Sequence, residues 1–345
     1  MPKKGGLKKG SVLMISLWVL AILVVFALSL GQRSGINLKF ARLQRDALKA
    51  SYLAKAGVNR AIVELKNDAT ADYDCSTDNW ANNEAAFKDI LINAQENEFA
   101  SVSYKAPDKE EPVYGIRDEE SKININKIDD VVVQKEILEL FLSDKIIPKL
   151  GPQEPQNLTN IVINWIDTDS DPIAGSNEDA EFKNTALKTP EELMLFLEYF
   201  YTNNKGMNKE QSQEDVEKIY NQIQGLATIY GQGKLNVNTA SEDVLAILAN
   251  AVAGTEAEKE VAPNLTDEIV TLRDTQENKS FQTLESIITA DEDATELLNK
   301  LKDNIVLRSD NFRIESQGTV NNITKKITAV YDRSGEGKIV YWHEN

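Results

Sequence analysis

The chain has 345 residues, of which 41% are apolar, and it carries 38 Lys plus Arg against 55 Asp plus Glu. This length allows two or three globular domains. A single Cys excludes an intramolecular disulfide framework and a cysteine-cage metal site, and the single His, His343, leaves little for a catalytic triad or a multi-histidine metal site. The net charge of −17 repels nucleic-acid phosphates. These totals argue against an ordinary hydrolase or nuclease.

The N-terminus has a basic leader followed by a long apolar segment. Residues 1–10 contain four lysines and end at Gly10, and the stretch from Ser11 to Gln32 carries no charge. As a helix rising about 1.5 Å per residue, this stretch would be about 33 Å long, which matches the hydrocarbon thickness of a bilayer. The sequence therefore predicts a leader over 1–10 and a transmembrane helix over 11–32.

The helical pattern continues beyond the charged residue Arg33. Apolar residues recur at spacings of three or four through Leu65, which predicts an amphipathic stem helix over 33–66, continuous with the membrane segment. A secretory signal peptide cut near Ala27–Ser29 is the alternative, but the apolar stretch exceeds the usual core of about 7–15 residues. Because the stem is basic too, the positive-inside rule does not decide the orientation.

These features resemble the N-terminus of type IV pilins and type II secretion pseudopilins. In that family a prepilin peptidase cuts after the glycine, which implies cleavage here between Gly10 and Ser11. Most members have Glu at the fifth mature position, where this chain has Ile15. The minor pseudopilin K family also lacks this acid. The stem of this chain, with the strings SLWVLAILVVFALSL and LAKAGVNRAIVEL, is similar to that family, whose members lie at the tip of the pseudopilus.

The resemblance implies a non-enzymatic, single-pass inner-membrane protein with a cytoplasmic N-terminus and a periplasmic head. Such a protein helps to initiate and cap the pseudopilus. Its implied partners are the minor pseudopilins I and J and the prepilin peptidase, with no nucleic acid. The stem face implied for packing against partner helices consists of Ile36, Phe40, Leu43, Ala47, Ala54, Val58 and Leu65.

An internal repeat marks the region after the stem. Residues 121–126 read SKININ and residues 233–238 read GKLNVN, and each is followed by a helical apolar pattern. In the second copy Thr239 and Glu242 have capping-box spacing, which predicts a helix start at Ala240.

A second pair of segments repeats farther along the chain. IVINWID at 161–167 resembles IVTLRD at 269–274, and each is followed by a Thr-led helix, at Thr189 and at Thr283. Pro190 and Glu192 strengthen the first of these helix starts. The repeats predict two small helical modules side by side.

The first module carries extra residues in an acidic loop between its paired segments. The Asp-x-Asp-x-Asp run that starts at Asp167 offers hard oxygen ligands at reachable positions, as calcium loops do. Pro172 stands where an EF-hand has Gly, which argues against that motif. A solvated acidic turn is the alternative. The K family binds calcium through an acidic loop, and this resemblance implies a calcium site here. The candidate ligands are Asp167, Asp169, Asp171, Glu178 and Glu181, of which Glu178 rests on spacing alone.

The remaining segments predict strands. Short strands are expected at 99–104 and 112–117, and residues 312–343 predict a meander with turns at Asn321–Asn322 and at 334–337. The expected fold class is α+β, with a pilin-like long N-terminal helix, an antiparallel sheet and two inserted small all-α modules of SAM-like or helix-hairpin-helix-like type. The predicted boundaries after the transmembrane helix are a stem at 33–66, the first part of the head at 67–117, the modules at 118–233 and 234–305, and the C-terminal strands at 306–345.

Two other functions are compatible with parts of the sequence. One is a membrane-anchored DNA receptor, because KLNVNTAS at 234–241 also resembles helix-hairpin-helix repeats. Residues 249–267 lack the paired glycines that bind phosphate in such hairpins and instead carry three glutamates, which disfavours DNA. The other is a periplasmic calcium-binding protein with a signal peptide.

Overall fold

The computed structural model describes residues 9–70, 72–93, 97–105, 111–127, 130–142, 154–169, 171–172 and 182–345. Its helices are α1 (Lys9–Lys66), α2 (Glu84–Phe87), α3 (Val131–Leu142), α4 (Glu154–Ile166), α5 (Leu193–Tyr199), α6 (Lys209–Leu226), α7 (Glu242–Val252), α8 (Glu256–Thr275) and α9 (Thr295–Asp303). Its strands are β1 (Ile90–Asn93), β2 (Glu98–Val102), β3 (Arg117–Asp118), β4 (Ile123–Asn124), β5 (Ala227–Thr228), β6 (Leu235–Asn236), β7 (Ile305–Val306), β8 (Asn311–Val320), β9 (Ile323–Asp332) and β10 (Lys338–Glu344).

Helix α1 is continuous for 58 residues, which corresponds to about 87 Å. This confirms the prediction of one rod running from the membrane segment through the stem. The C-terminal half of the rod lies on an antiparallel sheet with strand order β1-β2-β8-β9-β10, to which β3 adds by pairing with β8. The predicted C-terminal meander is also confirmed, with Asn321 at φ 53° in the turn between β8 and β9.

The stem helix and strand β8 approach each other unusually closely. A Cβ placed on Gly318 would lie 2.1 Å from the carbonyl oxygen of Ala50, and one on Gly57 would lie 2.1 Å from Ser316 Oγ. Two glycines therefore allow direct contact between helix and sheet. Around them Ala54, Val58, Ala61 and Leu65 pack with Trp80, Phe312, Ile314, Ala329 and Tyr331 in a single core.

The two helical modules lie between β3 and β8 in the chain. In module 1 (residues 123–228) the short strands β4 and β5 pair in parallel, and in module 2 (residues 235–306) β6 and β7 do the same. Helices α3 to α6 belong to module 1 and α7 to α9 to module 2, and both contribute to one shared apolar core. The boundaries 118–233 and 234–305 stay predictions.

The repeated asparagines have the same structural role in both modules. Asn126 Nδ2 donates to the Leu187 carbonyl at 2.9 Å, and its Oδ1 accepts from the Leu187 N–H at 2.9 Å. Asn238 forms the same pair of bonds with Phe281, at 3.0 and 2.8 Å. Leu187 and Phe281 each lie two residues before the repeated threonine. The sequence repeat therefore reflects a repeated side-chain clamp on a distant backbone segment.

The predicted start of α7 at Ala240 is wrong. The helix begins at Glu242, and Ser241 is its N-cap, accepting a hydrogen bond from the Val244 N–H at 3.4 Å. The Thr239 hydroxyl instead donates to the Asp118 carboxylate. The Thr239 side chain, which the local pattern assigned to the helix cap, therefore binds the buried carboxylate of Asp118 instead.

Two further elements are shorter than predicted. Within residues 112–117, Val113 forms an isolated β-bridge and Arg117 is the first residue of β3. The segment between them runs along Trp80 and Ala81 instead of forming a strand. Gly115 permits this course, since a Cβ there would lie 2.0 Å from the Ala81 carbonyl oxygen. Thr283 opens a single 3-10 turn, whereas Thr189 starts a helix with a complete capping box.

Candidate functional site

The apolar face of the stem has two parts with different environments. Ile36, Phe40 and Leu43 are 66%, 60% and 56% exposed. Farther along the same face Ala54 and Val58 are fully buried against the chain's own sheet, as is nearly all of Leu65. The predicted partner-helix face therefore needs correction: Ala54, Val58 and Leu65 are unavailable to a partner, and Ala47 is half-buried at the boundary.

Asp46 marks the point where the head begins to cover the stem. Its carboxylate accepts hydrogen bonds from Arg45 Nε at 2.9 Å and from Asn321 Nδ2 at 3.2 Å. The hydrogen bond from Arg45 is the largest influence that lowers the pKa of Asp46. Since Asn321 lies in the β8–β9 turn, this turn fixes the lower edge of the head to the stem. From residue 33 to residue 45, no described part of the head covers the stem.

The predicted membrane segment is exposed from residue 12 to residue 32. Among the described residues, α1 alone is long and apolar enough to cross a membrane. Gly10 and Ser11, where leader cleavage is predicted, lie in its first turn, and Ile15 is 58% exposed. The first turn carries no acidic side chain.

The described part of the acidic loop starts where α4 ends. The Asp167 N–H still donates to the Ile163 carbonyl at 2.9 Å, and the Asp171 N–H donates to Asp169 Oδ1 at 2.9 Å. Asp169 and Asp171 are exposed. Three acids thus follow the negative end of a helix dipole, where a cation would be stabilising. Glu178 and Glu181 lie outside the described residues.

The two ends of the acidic loop are held together. Asn184 Nδ2 donates to the Asp169 carbonyl at 2.6 Å, and the rings of Trp165 and Phe182 are 5.4 Å apart. A loop closed at its base loses less conformational entropy when it binds an ion. This arrangement can present Asp169 and Asp171 to a cation without changing the module around it.

A buried charged segment joins the sheet to both modules, and sequence reasoning missed it. Asp118 accepts from Ser309 Oγ at 2.7 Å and from Asn236 Nδ2 at 3.2 Å. Glu119 pairs with Lys122 at 2.9 Å and with Arg313 at 2.6 Å. A run of charges usually indicates a solvated surface. Its position directly before the first repeat was the available signal that it is a junction.

Burial and pairing set the charge states in this junction. Burial lowers the pKa of Lys122 to about 7 and raises the pKa of Asp118. Burial opposes ionisation of Glu119 as well, but Arg313 and Lys122 together hold its pKa well below the usual range. The ionised Glu119 therefore links β8, through Arg313, to the start of module 1. This network fixes the modules on the sheet.

The helix N-terminus that would bind phosphate in a helix-hairpin-helix is occupied by a carboxylate. The N–H groups of Gly254 and Thr255, which precede α8, both donate to Glu258 Oε2, at 2.6 and 3.1 Å. Lys300 Nζ pairs with the same carboxylate at 2.5 Å. The amides and the nearby cation are thus used inside the module, which disfavours DNA binding there.

A chain in the crystal structure of the GspK-GspI-GspJ complex from the enterotoxigenic Escherichia coli Type 2 Secretion System has a similar structure. The TM-score is 0.62 at 14% sequence identity, and the match covers 88% of this chain and 99% of that chain. This chain has a GspK-like α+β pilin fold. No protein-family model and no curated protein matches the sequence. The predicted fold class is confirmed, since the match covers 88% of this chain.

Proposed function

We propose that this chain is a minor pseudopilin K of a type II secretion system, a non-enzymatic protein that helps to initiate and cap the pseudopilus. The observation that carries the proposal is the GspK-like fold, because the match covers 88% of this chain and 99% of the solved chain. The basic leader, the uncharged helix after Gly10 and the apolar Ile15 support it independently, because they were identified from sequence alone.

The position at the tip is supported by two features of the chain. In the pilin family the acid at the fifth mature position pairs with the N-terminal amine of a neighbouring subunit, and a cap has no subunit ahead of it. In this chain the fifth mature position is Ile15, and the first turn of α1 carries no acidic side chain either. The two modules inserted between β3 and β8 enlarge the head and would obstruct the addition of a subunit above it.

The proposed partners are the minor pseudopilins I and J, which accompany GspK in the solved complex. Their stems would pack on Ile36, Phe40 and Leu43, because the described part of the head leaves this part of the apolar face exposed. Co-purification of the full chain with co-expressed I and J tests this. Phe40→Glu together with Leu43→Glu should abolish recovery of the partners.

Leu38→Glu is the matched control for that experiment. Leu38 is 62% exposed, like the residues of the proposed face, but it lies about 140° around the helix from Leu43. This variant should still recover both partners. Loss of the partners in the control alone, or undiminished recovery with the double variant, would contradict the proposed face.

The proposed location is the inner membrane, with one transmembrane helix, a cytoplasmic N-terminus and a periplasmic head. The prepilin peptidase would remove residues 1–10. N-terminal sequencing of protein isolated from membranes should therefore begin at Ser11, and Gly10→Val should retain the leader while Gly6→Val does not. A mature N-terminus near Leu30 would indicate cleavage by a signal peptidase and would contradict the pseudopilin proposal.

We also propose that the acidic loop of module 1 binds calcium through Asp167, Asp169, Asp171, Glu178 and Glu181. Support comes from the exposed acids at the end of α4 and from the closed base of the loop. Calcium chloride should raise the melting temperature of the full chain in detergent, and Asp169→Ala with Asp171→Ala should reduce that rise.

The control for the calcium experiment uses two acids with the same local geometry. The Asp293 N–H donates to Asp291 Oδ1 at 2.9 Å, as the Asp171 N–H does to Asp169, and both side chains are exposed. Asp291→Ala with Asp293→Ala should leave the calcium response unchanged. An equal loss in both double variants would mean that calcium acts only by screening surface charge.

A further inference from the structure

A second group of acids lies in the head, far along the chain from the module 1 loop. Asp68 follows the end of α1, and Asp74 and Asp78 belong to the loop that comes next. One carboxylate oxygen from each residue lies within 4.8 Å of the other two. Asp74 is fully buried, Asp78 is 9% exposed, and the side chain of Asp68 is 9% exposed.

The cluster lacks enough hydrogen-bond donors for its oxygens. Asp74 Oδ1 and Asp68 Oδ2 are buried, and neither accepts a hydrogen bond from the residues that the structure describes. Arg333 is the cation that pairs with the group, with Nη2 on Asp74 and Nη1 3.6 Å from Asp68 Oδ2. This guanidinium thus pairs with two of the three carboxylates. Buried carboxylates at this spacing repel one another unless a proton or a further cation is bound.

A cavity of about 140 Å³ adjoins the cluster and offers further oxygens. Asp68 and Asp78 line it, together with Thr70, Thr77 and Asn278. The Thr70 hydroxyl already contacts both acids, at 3.0 Å from Asp68 Oδ1 and 3.1 Å from Asp78 Oδ1. Carboxylate, hydroxyl and amide oxygens are the ligands that hard divalent cations prefer, and calcium tolerates an irregular set of them.

We propose that Asp68, Asp74 and Asp78 bind a calcium ion, with the buried oxygens Asp68 Oδ2 and Asp74 Oδ1 as ligands and the hydroxyls of Thr70 and Thr77 nearby. This site is separate from the loop of module 1, and it does not depend on the chain being a pseudopilin. The ion neutralises the charge that Arg333 leaves uncompensated.

The position of the site gives the ion a mechanical role. The Ser309 N–H, just before β8, donates to Asp74 Oδ2 at 2.7 Å, and the Thr77 hydroxyl donates to the Asn278 carbonyl of module 2 at 2.8 Å. Asp68 is attached directly to the end of the stem. A bound ion therefore ties the stem, the sheet and module 2 together at one point.

The test uses the full chain in detergent in the Asp169→Ala, Asp171→Ala background, so that the module 1 loop does not contribute. Calcium sites of extracellular modules have dissociation constants of about 10⁻⁴–10⁻³ M, so calcium chloride is titrated to about 10 mM. A saturable rise in melting temperature is expected. Terbium should also show sensitised emission, because Trp80 lines the same cavity and can transfer excitation energy.

Asp78→Asn should weaken calcium binding at least tenfold and abolish the terbium signal. Asp68→Asn is the second variant in case the first does not fold, and Asp72→Asn is the control, because Asp72 is an exposed acid of the same loop outside the cluster. A background protein without saturable calcium or terbium binding overturns the proposal. So does equal binding by Asp78→Asn, Asp68→Asn and Asp72→Asn.

Discussion

Replacing Asn238 by Ala should destabilise module 2 by several kcal/mol. The side chain is 2% exposed and its amide forms both hydrogen bonds of Phe281, a residue that is itself 1% exposed. In the variant the Phe281 N–H and carbonyl remain buried with no partner from this side chain. Each such group costs about 1–3 kcal/mol, so the expected loss is about 2–6 kcal/mol.

The measurement combines thermal unfolding with amide hydrogen exchange. For a unit of 150–250 residues, 1 kcal/mol shifts the melting temperature by about 2–4 °C, so the variant should melt at least about 4 °C lower. Exchange should accelerate in residues 280–283 before it does in the sheet, because the clamp acts locally. Asn299→Ala, on the exposed face of α9, is the matched control and should be nearly neutral.

The reasoning also fixes what must happen in module 1. Asn126 makes the same pair of bonds with Leu187 and adds one to the Ile229 carbonyl at 3.1 Å, but it is half-buried. Asn126→Ala should therefore lower stability with exchange increases near Leu187 instead. If Asn238→Ala melts at the same temperature as Asn299→Ala, the repeated asparagine is not a clamp, and the structural account of the sequence repeat fails.

Three further changes test the packing and the buried charges. Gly318→Val should lower the free energy of unfolding by about 1–3 kcal/mol, because the larger side chain forces the stem away from the sheet. Gly35→Ala is the control: a Cβ there meets no atom within 4 Å, so the change should be neutral or stabilising by up to about 1 kcal/mol. Thermal unfolding measures both. Glu119→Gln should cost about 3–5 kcal/mol, because it leaves the buried Lys122 and Arg313 without their carboxylate; an unchanged melting temperature would contradict the network. Burial raises the pKa of Glu136 from 4.5 to about 8, so the folded state keeps this proton to higher pH than the unfolded state does. The contribution of the protonated Glu136 to the free energy of unfolding is therefore full below pH 4.5 and is lost as the pH rises through 8. Glu136→Gln should therefore reduce the fall in stability between pH 4.5 and 8, by at most about 5 kcal/mol at 1.36 kcal/mol per pH unit, and parallel pH profiles would refute this.

The elements that sequence reasoning predicted well are those that a continuous or repeated local pattern defines. Helix α1 is apolar or amphipathic without interruption, and the β8–β9 hairpin alternates around a turn that Asn321 can adopt. The module repeat was recognisable because the same asparagine clamp constrains both copies. In the hairpin and in the modules, the residues that define the pattern are also the residues that make the contacts.

The junction between sheet and modules could not be predicted in this way. Its stability comes from pairs distant in the chain, such as Glu119 with Arg313 and Asp118 with Thr239. Neither the charge run at 117–122 nor the capping spacing at Thr239 indicates such a partner. A local rule assigns each of these side chains to solvent or to a helix cap, and tertiary contacts override it.

In the stem, too, a local pattern does not reveal which contacts the residues make. Periodicity identifies one apolar face from Ile36 to Leu65, but burial inside a subunit and burial between subunits produce the same period. The structure divides the face at Asp46, where the β8–β9 turn meets the helix. Above this residue the face belongs to the chain's own core, as Val58 does. Below it, no described part of the head covers Phe40 and its neighbours, and this is where the proposed partner stems would pack.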